Sequence, residues 1–233
     1  MRVGFAGETH LAQTNAKAAE IRGFDVVMVD GYCEPLSACD LVFIARDADT
    51  AEDLEEVERL TRRVISATWT ETPIVVLSQV LPGFTRKHLE RHSLLFYQVD
   101  TIIMNCALER VLHPERHIIG CEHPDKPLPP ALADYLEWFP APVVKMGLES
   151  AELAKLAINF ILASQVAAAN TLKVAAASCR ASWSDIIPAL RLDARIGKSY
   201  LEPGYIGGHL PRDVRRVRNL APTPFAEAIG PLA

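Results

Sequence analysis

The stretch Arg2-Val-Gly-Phe-Ala6-Gly7-Glu8-Thr9-His-Leu-Ala12 decides how the rest of the chain is read. A short, mostly apolar run enters a glycine. Leu11 to Arg22 follows, with charges on one face and apolar residues on the other. Those are a buried strand, a tight turn and an amphipathic helix in order. The pattern then repeats. Asp25 to Val29, Asp40 to Ile44 and Pro73 to Leu77 read as further strands, Ala51 to Ser66 as a second amphipathic helix, and Gly23 as the left-handed cap of the first helix. Strands alternating with helices predict a parallel sheet covered by helices.

Farther along, Leu94 to Tyr97, His117 to Gly120 and Val143 to Met146 read as strands, and Ala131 to Trp138 as a short helix after the Pro-, His- and acid-rich connection Cys121 to Pro130. The pattern changes at Glu149. From there to about Ser178 the chain is Ala- and Leu-rich without Gly or Pro, which predicts one helix of roughly 45 Å at 1.5 Å per residue. Apolar residues such as Leu153, Leu156, Phe160, Ile161 and Leu172 surround most of it, so it is expected to pack on other helices or a second subunit. The expected organisation is an α/β doubly wound domain at 1–146 and an all-helical dimerisation domain at 147–233. The tail beyond Leu220, with Pro222, Pro224 and Pro231, is expected to be loosely ordered.

The 233 residues are 49% hydrophobic and 23% charged, enough to bury a full core. A net charge of −5 gives no global footprint for nucleic acid or an anionic membrane. Arg212, Arg215, Arg216 and Arg218 form a local exception, read either as a solvated helix face or as a phosphate contact. Cysteines 33, 39, 106, 121 and 179 lack the paired spacings of a zinc site or a disulfide scaffold, so no metal is expected and the thiols are read as reduced and mostly buried. No leader and no apolar run of about 18 residues is evident, which predicts a cytoplasmic protein without a membrane partner.

Gly7-Glu-Thr9-His-Leu-Ala12 lies where Rossmann folds carry Gly-x-Gly-x-x-Gly or Ala. Gly7 can make the tight turn and Ala12 permits close helix packing. Thr9 places a β-branched side chain where the backbone normally approaches a pyrophosphate. Asp30, at the end of the second strand, is placed to bond an adenosine ribose and to repel a 2′-phosphate, so the reading is NAD rather than NADP. The alternative is a Rossmann-like sheet that holds no dinucleotide.

Four segments, in register along nearly the whole chain, resemble the nucleotide-sugar dehydrogenase family, the UDP-glucose and GDP-mannose dehydrogenases and their relatives. Met1 to Ala12 matches the family's opening. Val75-Val-Leu-Ser78-Gln79-Val-Leu-Pro82-Gly83-Phe-Thr85 resembles its Ser-Thr-Val-Pro-Pro-Gly-Thr segment, Gln79 standing for a functional threonine, and so places Ser78 and Gln79 beside the cofactor. His113-Pro-Glu-Arg116-His-Ile-Ile-Gly120 resembles the segment after its active-site loop, whose two glutamates fall on Asp100 and Met104. Glu152-Leu-Ala-Lys155-Leu-Ala-Ile-Asn159 resembles Glu-x-x-Lys-x-x-x-Asn. Lysine and asparagine four apart share a helix face, where an ammonium can stabilise negative charge on a substrate oxygen.

The fourth segment is Asp193-Ala-Arg195-Ile-Gly197 with Pro203-Gly204-Tyr-Ile-Gly207-Gly208-His209-Leu-Pro-Arg212-Asp213. The family's version, Gly-Gly-x-Cys-x-Pro-Lys-Asp, carries the thiol that forms a covalent thiohemiacetal. Here the segment is one residue shorter and has no cysteine between Gly208 and Pro211. The resemblance implies catalytic roles for Lys155, Asn159 and Asp213 and substrate contacts from Arg195, Gly207, Gly208, His209, Arg212 and Asp100. Cys179 is read as a core thiol, not a replacement nucleophile. The match covers the family's first two domains and not its C-terminal nucleotide-sugar-binding domain. Two functions follow as expectations. One is an NAD-dependent oxidoreductase limited to a single hydride transfer on a small molecule such as a sugar or nucleotide sugar. The other is a catalytically silent homodimer that binds or regulates.

Overall fold

A computed structural model describes residues 1–100, 102, 104–197, 200–204 and 209–229. The chain forms two compact units, Met1–Lys155 and Leu156–Ala233, divided within one long helix.

The first unit is a seven-stranded sheet ordered β2-β1-β3-β4-β5-β6-β7. Its strands are β1 (Arg2–Ala6), β2 (Asp25–Val29), β3 (Leu41–Ile44), β4 (Ile74–Val76), β5 (Leu95–Gln98), β6 (His117–Cys121) and β7 (Val143–Gly147). The first five are mutually parallel, β6 runs antiparallel to β5, and β7 follows β6 in parallel. The alternation therefore gives the parallel core but not the reversal after β5. Because β2 and β3 flank β1 on opposite sides, the strand order switches direction between β1 and β3. Open α/β sheets place ligands outside the carboxyl ends of the strands at such a switch.

Helices α1 (His10–Ile21), α2 (Ala51–Ala67), α3 (Ala107–Leu112) and α4 (Pro130–Glu137) belong to this unit. Gly23, at φ +87°, closes α1 as expected, and Phe24 N donates to Ala19 O across the cap. A reciprocal capping box starts α2: Asp53 N donates to Thr50 Oγ1, and Thr50 N donates to an Asp53 carboxylate oxygen. Aromatic packing fastens α4 to the sheet. Phe5 stacks on Phe43 at 5.1 Å, Tyr135 lies 4.9 Å from Phe43, and Phe139 is 5.0 Å from Tyr135.

Helix α5 (Leu148–Ser178) begins against β6, where Gly120 has no substitute. A Cβ there would lie 2.8 Å from the Ala151 Cβ. The expectation that no apolar stretch is long enough to cross a membrane is corrected by α5. By length and composition it is, with a mean hydropathy of 1.3 over its most apolar window. Asn159, Ser164 and Gln165 interrupt any strict apolar run while leaving the average apolar. A core helix of a soluble protein has the same properties.

The second unit contains the remainder of α5 with α6 (Trp183–Leu192), α7 (Leu210–Leu220) and α8 (Pro224–Ile229). Its apolar clusters are small. Ala163, Val166 and Ala167 meet Val214 and Ile229, and Ala169 and Ala176 meet Trp183, Ile187 and Leu201. The expectation of a loose tail fails here. Pro224 starts α8, Ala226 N donates to Thr223 Oγ1, and Ile229 is buried, so the prolines punctuate a packed element rather than unstructured chain. Pro231 lies outside the described residues. Cys33, Cys39 and Cys121 are buried as expected, whereas Cys106 and Cys179 are exposed. Cys179 follows the end of α5, where Arg180 turns the chain at φ 62°, and so leaves the helix's packed face.

Candidate active site

At the carboxyl edge of the sheet, Gly7 performs the role read from sequence. Its φ is +126°, and a Cβ there would lie 2.6 Å from Ala45 O on the neighbouring strand's exit. Ala12 is fully buried, which permits close approach of α1. Thr9 is the N-cap residue of α1, yet its side chain makes no cap bond. Its hydroxyl instead accepts from Asp47 N at 2.8 Å and reaches Ala45 O at 3.5 Å. The Asp47 carboxylate accepts from Leu11 N, in the first turn of α1, at 3.3 Å. Ser78, fully buried, accepts from Arg46 N at 2.9 Å and reaches Ile44 O at 3.4 Å. Ser78 thus joins the ends of β3 and β4, with Gln79 buried beside it in sequence.

Asp30 is exposed at the end of β2, the position an adenosine ribose contact requires. Helix α2 adds a neighbouring charge. Arg63 Nη1 lies 3.7 Å from where a Gly31 Cβ would be, and its charge also acts on Cys33, whose thiol is nevertheless pushed up by burial. Arg63 lies outside the local motif from which the NAD preference is read.

Lys155 is buried, and its Nζ donates to the main-chain oxygen of Asp100 at 2.6 Å, just beyond β5. The Asp100 carboxylate accepts from Ile102 N at 3.3 Å. Three residues earlier on α5, Glu152 is fully buried and accepts from Gly83 N at 2.6 Å and Thr85 N at 2.8 Å. Burial raises its pKa above the usual glutamate value against the lowering effect of those bonds. In the sequence Glu152 stands only as one position of a motif. An acid among apolar helix neighbours is the signal that marks this clamp.

In the second unit, Asn159 Nδ2 donates to Asp213 Oδ2 at 2.5 Å. Asp213 is fully buried and also receives Arg212 through two bonds, Nε to Oδ1 at 2.7 Å and Nη2 to Oδ2 at 3.1 Å. Arg216 Nη1 stands 3.7 Å from Oδ1, and His209 Nδ1 is 3.2 Å from Arg212 Nη1. Arg212 and Arg216 are therefore buried counter-ions, which corrects the reading of the arginine cluster as a solvated face. Arg215 alone is exposed, and Arg218 lies 3.9 Å from Glu227. Arg195 is exposed and folds back on Asp193, with bonds of 2.9 and 2.6 Å that lower the aspartate's pKa. Gly207 and Gly208 lie outside the described residues. Asn159, Asp213, Arg212 and His209 are thus brought together, while Arg195 is shown engaged only with its own loop.

Residues 149–228 match the central domain of the UDP-glucose/GDP-mannose dehydrogenase family. The chain is thus similar, in this region, to nucleotide-sugar dehydrogenases. It is 26% identical over 219 residues to a UDP-glucose 6-dehydrogenase of Oryza sativa, an alignment covering 84% of this chain and 45% of that protein. The fold matches a UDP-glucose dehydrogenase from Pyrobaculum islandicum with TM-score 0.85 and 21% identity, over 99% of this chain and 66% of the other. It also matches the 3-hydroxyisobutyrate dehydrogenase of Mycobacterium tuberculosis at TM-score 0.75 and 15% identity, over 99% and 91% respectively. The chain spans less than half the length of the Oryza sativa protein and of other curated relatives that it matches.

Proposed function

We propose that this chain is an NAD-dependent oxidoreductase that makes a single hydride transfer on an alcohol or carbonyl substrate. The relatives' names point to a sugar or nucleotide sugar as the substrate class. Lys155 carries the reading. A buried ammonium held against a main-chain oxygen at the carboxyl edge of a Rossmann-like sheet supports this, since it would bind a substrate oxygen and stabilise its developing negative charge. Gly7, Ala12 and Asp30 fit the turn, the helix contact and the ribose side of a dinucleotide. The nicotinamide, when bound, supplies the hydride chemistry. The resemblance gives Asn159, held by Asp213, a role toward a substrate oxygen or a water, and Arg195 a role toward an anionic substituent. The preference for NAD over NADP rests on Asp30, with Arg63 the opposing charge.

Fluorescence titration with NADH, followed by NADH consumption against a panel of aldehydes and nucleotide sugars, tests this reading. Binding with turnover that Lys155→Met abolishes is expected. Binding without turnover would favour a second reading, a catalytically silent dimer. That alternative is supported by the commitment of Asn159 and Arg212 to Asp213, and of Arg195 to Asp193. A homodimer belongs to both readings, because α5 leaves Leu153, Ile161, Leu172 and Val174 exposed, the last at 70%. Light scattering at micromolar concentration should give twice the chain mass.

A further inference from the structure

The mouth of α1 is the feature that the proposed dinucleotide reading leaves unexplained. In an α/β sheet of this order, the diphosphate sits against the first turn of the helix after β1, where main-chain N–H groups and the helix dipole favour an anion. In this chain an anion is already there. The Asp47 carboxylate, from the turn after β3, accepts from Leu11 N at 3.3 Å. The turn is fastened from the other side as well, since Asp47 N donates to Thr9 Oγ1 at 2.8 Å. Thr9, Asp47 and Leu11 thus form a clasp across the β1–β3 switch point. The residue that would ordinarily let a backbone approach phosphate is a threonine, and its hydroxyl holds the competing acid in place.

We propose that Asp47 is an internal competitor for the diphosphate of the dinucleotide. It occupies one of the N–H donors that the diphosphate would use, and it places a like charge beside the diphosphate's position. Binding then requires the Asp47 side chain to leave Leu11 N, so affinity is set by an equilibrium within the empty protein. A ligand whose binding-competent state is only a fraction of the population binds more weakly by that fraction. The inference rests on the reading that this crevice takes a dinucleotide.

The test is calorimetric titration of wild type, Asp47→Ala and Asp47→Asn with NADH, ADP-ribose and adenosine. Asp47→Ala opens the position, whereas Asp47→Asn removes the charge and keeps an oxygen acceptor. Both variants are expected to bind NADH and ADP-ribose on the order of tenfold more tightly than wild type, a change in the range of helix-terminus charge effects. Adenosine, which has no phosphate, should bind all three proteins alike. Hydrogen exchange of the Leu11 amide should be faster in Asp47→Ala without ligand.

Equal NADH affinities in wild type and variants would overturn the competitor role and leave the dinucleotide reading standing. The competitor role also falls if adenosine gains as much as ADP-ribose, or if Leu11 exchange is unchanged. No NADH binding by any of the three proteins, with their melting transitions intact, would overturn both.

Discussion

The two units hold the polar groups of the candidate site in opposite ways. In the first, side chains at the sheet edge bond to backbone: Ser78 to Arg46 N, Asp47 to Leu11 N, Glu152 to Gly83 N and Thr85 N, Lys155 to Asp100 O. In the second, side chains bond to one another, with Asp213 at the centre of Asn159, Arg212 and Arg216. The backbone partners of each of these side chains sit in a different loop or helix turn, so each such bond can be lost singly. An ionic cluster in a unit with small, Ala-rich cores loses its members together.

The largest effect should therefore come from Asp213→Ala, which leaves two buried guanidinium groups without their carboxylate. A destabilisation of about 3–5 kcal/mol is expected, measured by denaturant unfolding. Asp213→Asn should cost less, because it keeps an acceptor. A loss below about 1 kcal/mol for the alanine variant would mean that the arginines' other partners, or water, suffice to hold them.

Next is Gly7→Ala in the first unit. Its Cβ would fall 2.6 Å from Ala45 O in a backbone conformation that L-residues rarely adopt, so the β1–β3 contact must shift. A loss on the order of 1–3 kcal/mol is expected, and thermal melting measures it.

The first unit should also carry a distinct acid response. His88, His92 and His117 lie in the first unit, and burial lowers the pKa of each below 6.5. Their neutral forms are favoured by folding, so the unfolded chain binds more protons and stability falls as pH drops through about 6.5. Glu152 has the opposite sign. Its raised pKa adds stability below 4.5 that is lost as pH rises through its folded value. Substituting His117 by Gln should flatten the decline that begins near the ordinary histidine pKa, as followed by urea midpoints across pH. An unchanged slope would remove His117 from this account.

The smallest effect is Thr50→Ala, which breaks one side of the α2 capping box. About 1 kcal/mol is expected from the denaturation midpoint.

The same contrast explains how much is legible in the sequence. All seven strands and helices α1, α2, α4 and α5 are, because short apolar runs and helical apolar patterns report burial directly. The reversal at β6 is not, since a strand pattern carries no direction. Helix α8 is hidden by prolines that look like breakers, although Pro224 occupies a first helical turn. At the site, Gly7 and Ala12 are legible from local geometry, and Asn159 with Asp213 from resemblance. Asp47 and Arg63 are not legible. Each acts across a strand order that brings together residues 36 and 32 positions apart, and neither belongs to a local motif.

The proposed chemistry stops after one hydride, and product stoichiometry decides whether it does. In the family that the chain resembles, the four-electron oxidation holds its aldehyde on a thiolate, and neither His209 nor Leu210 supplies a sulfur nucleophile. Incubation with NAD and UDP-glucose, GDP-mannose or UDP-N-acetylmannosamine, with NADH and uronate measured together, should therefore yield no uronate and at most one NADH per substrate consumed. Uronate formed with two NADH per sugar would demand a second oxidation and would end the single-hydride reading.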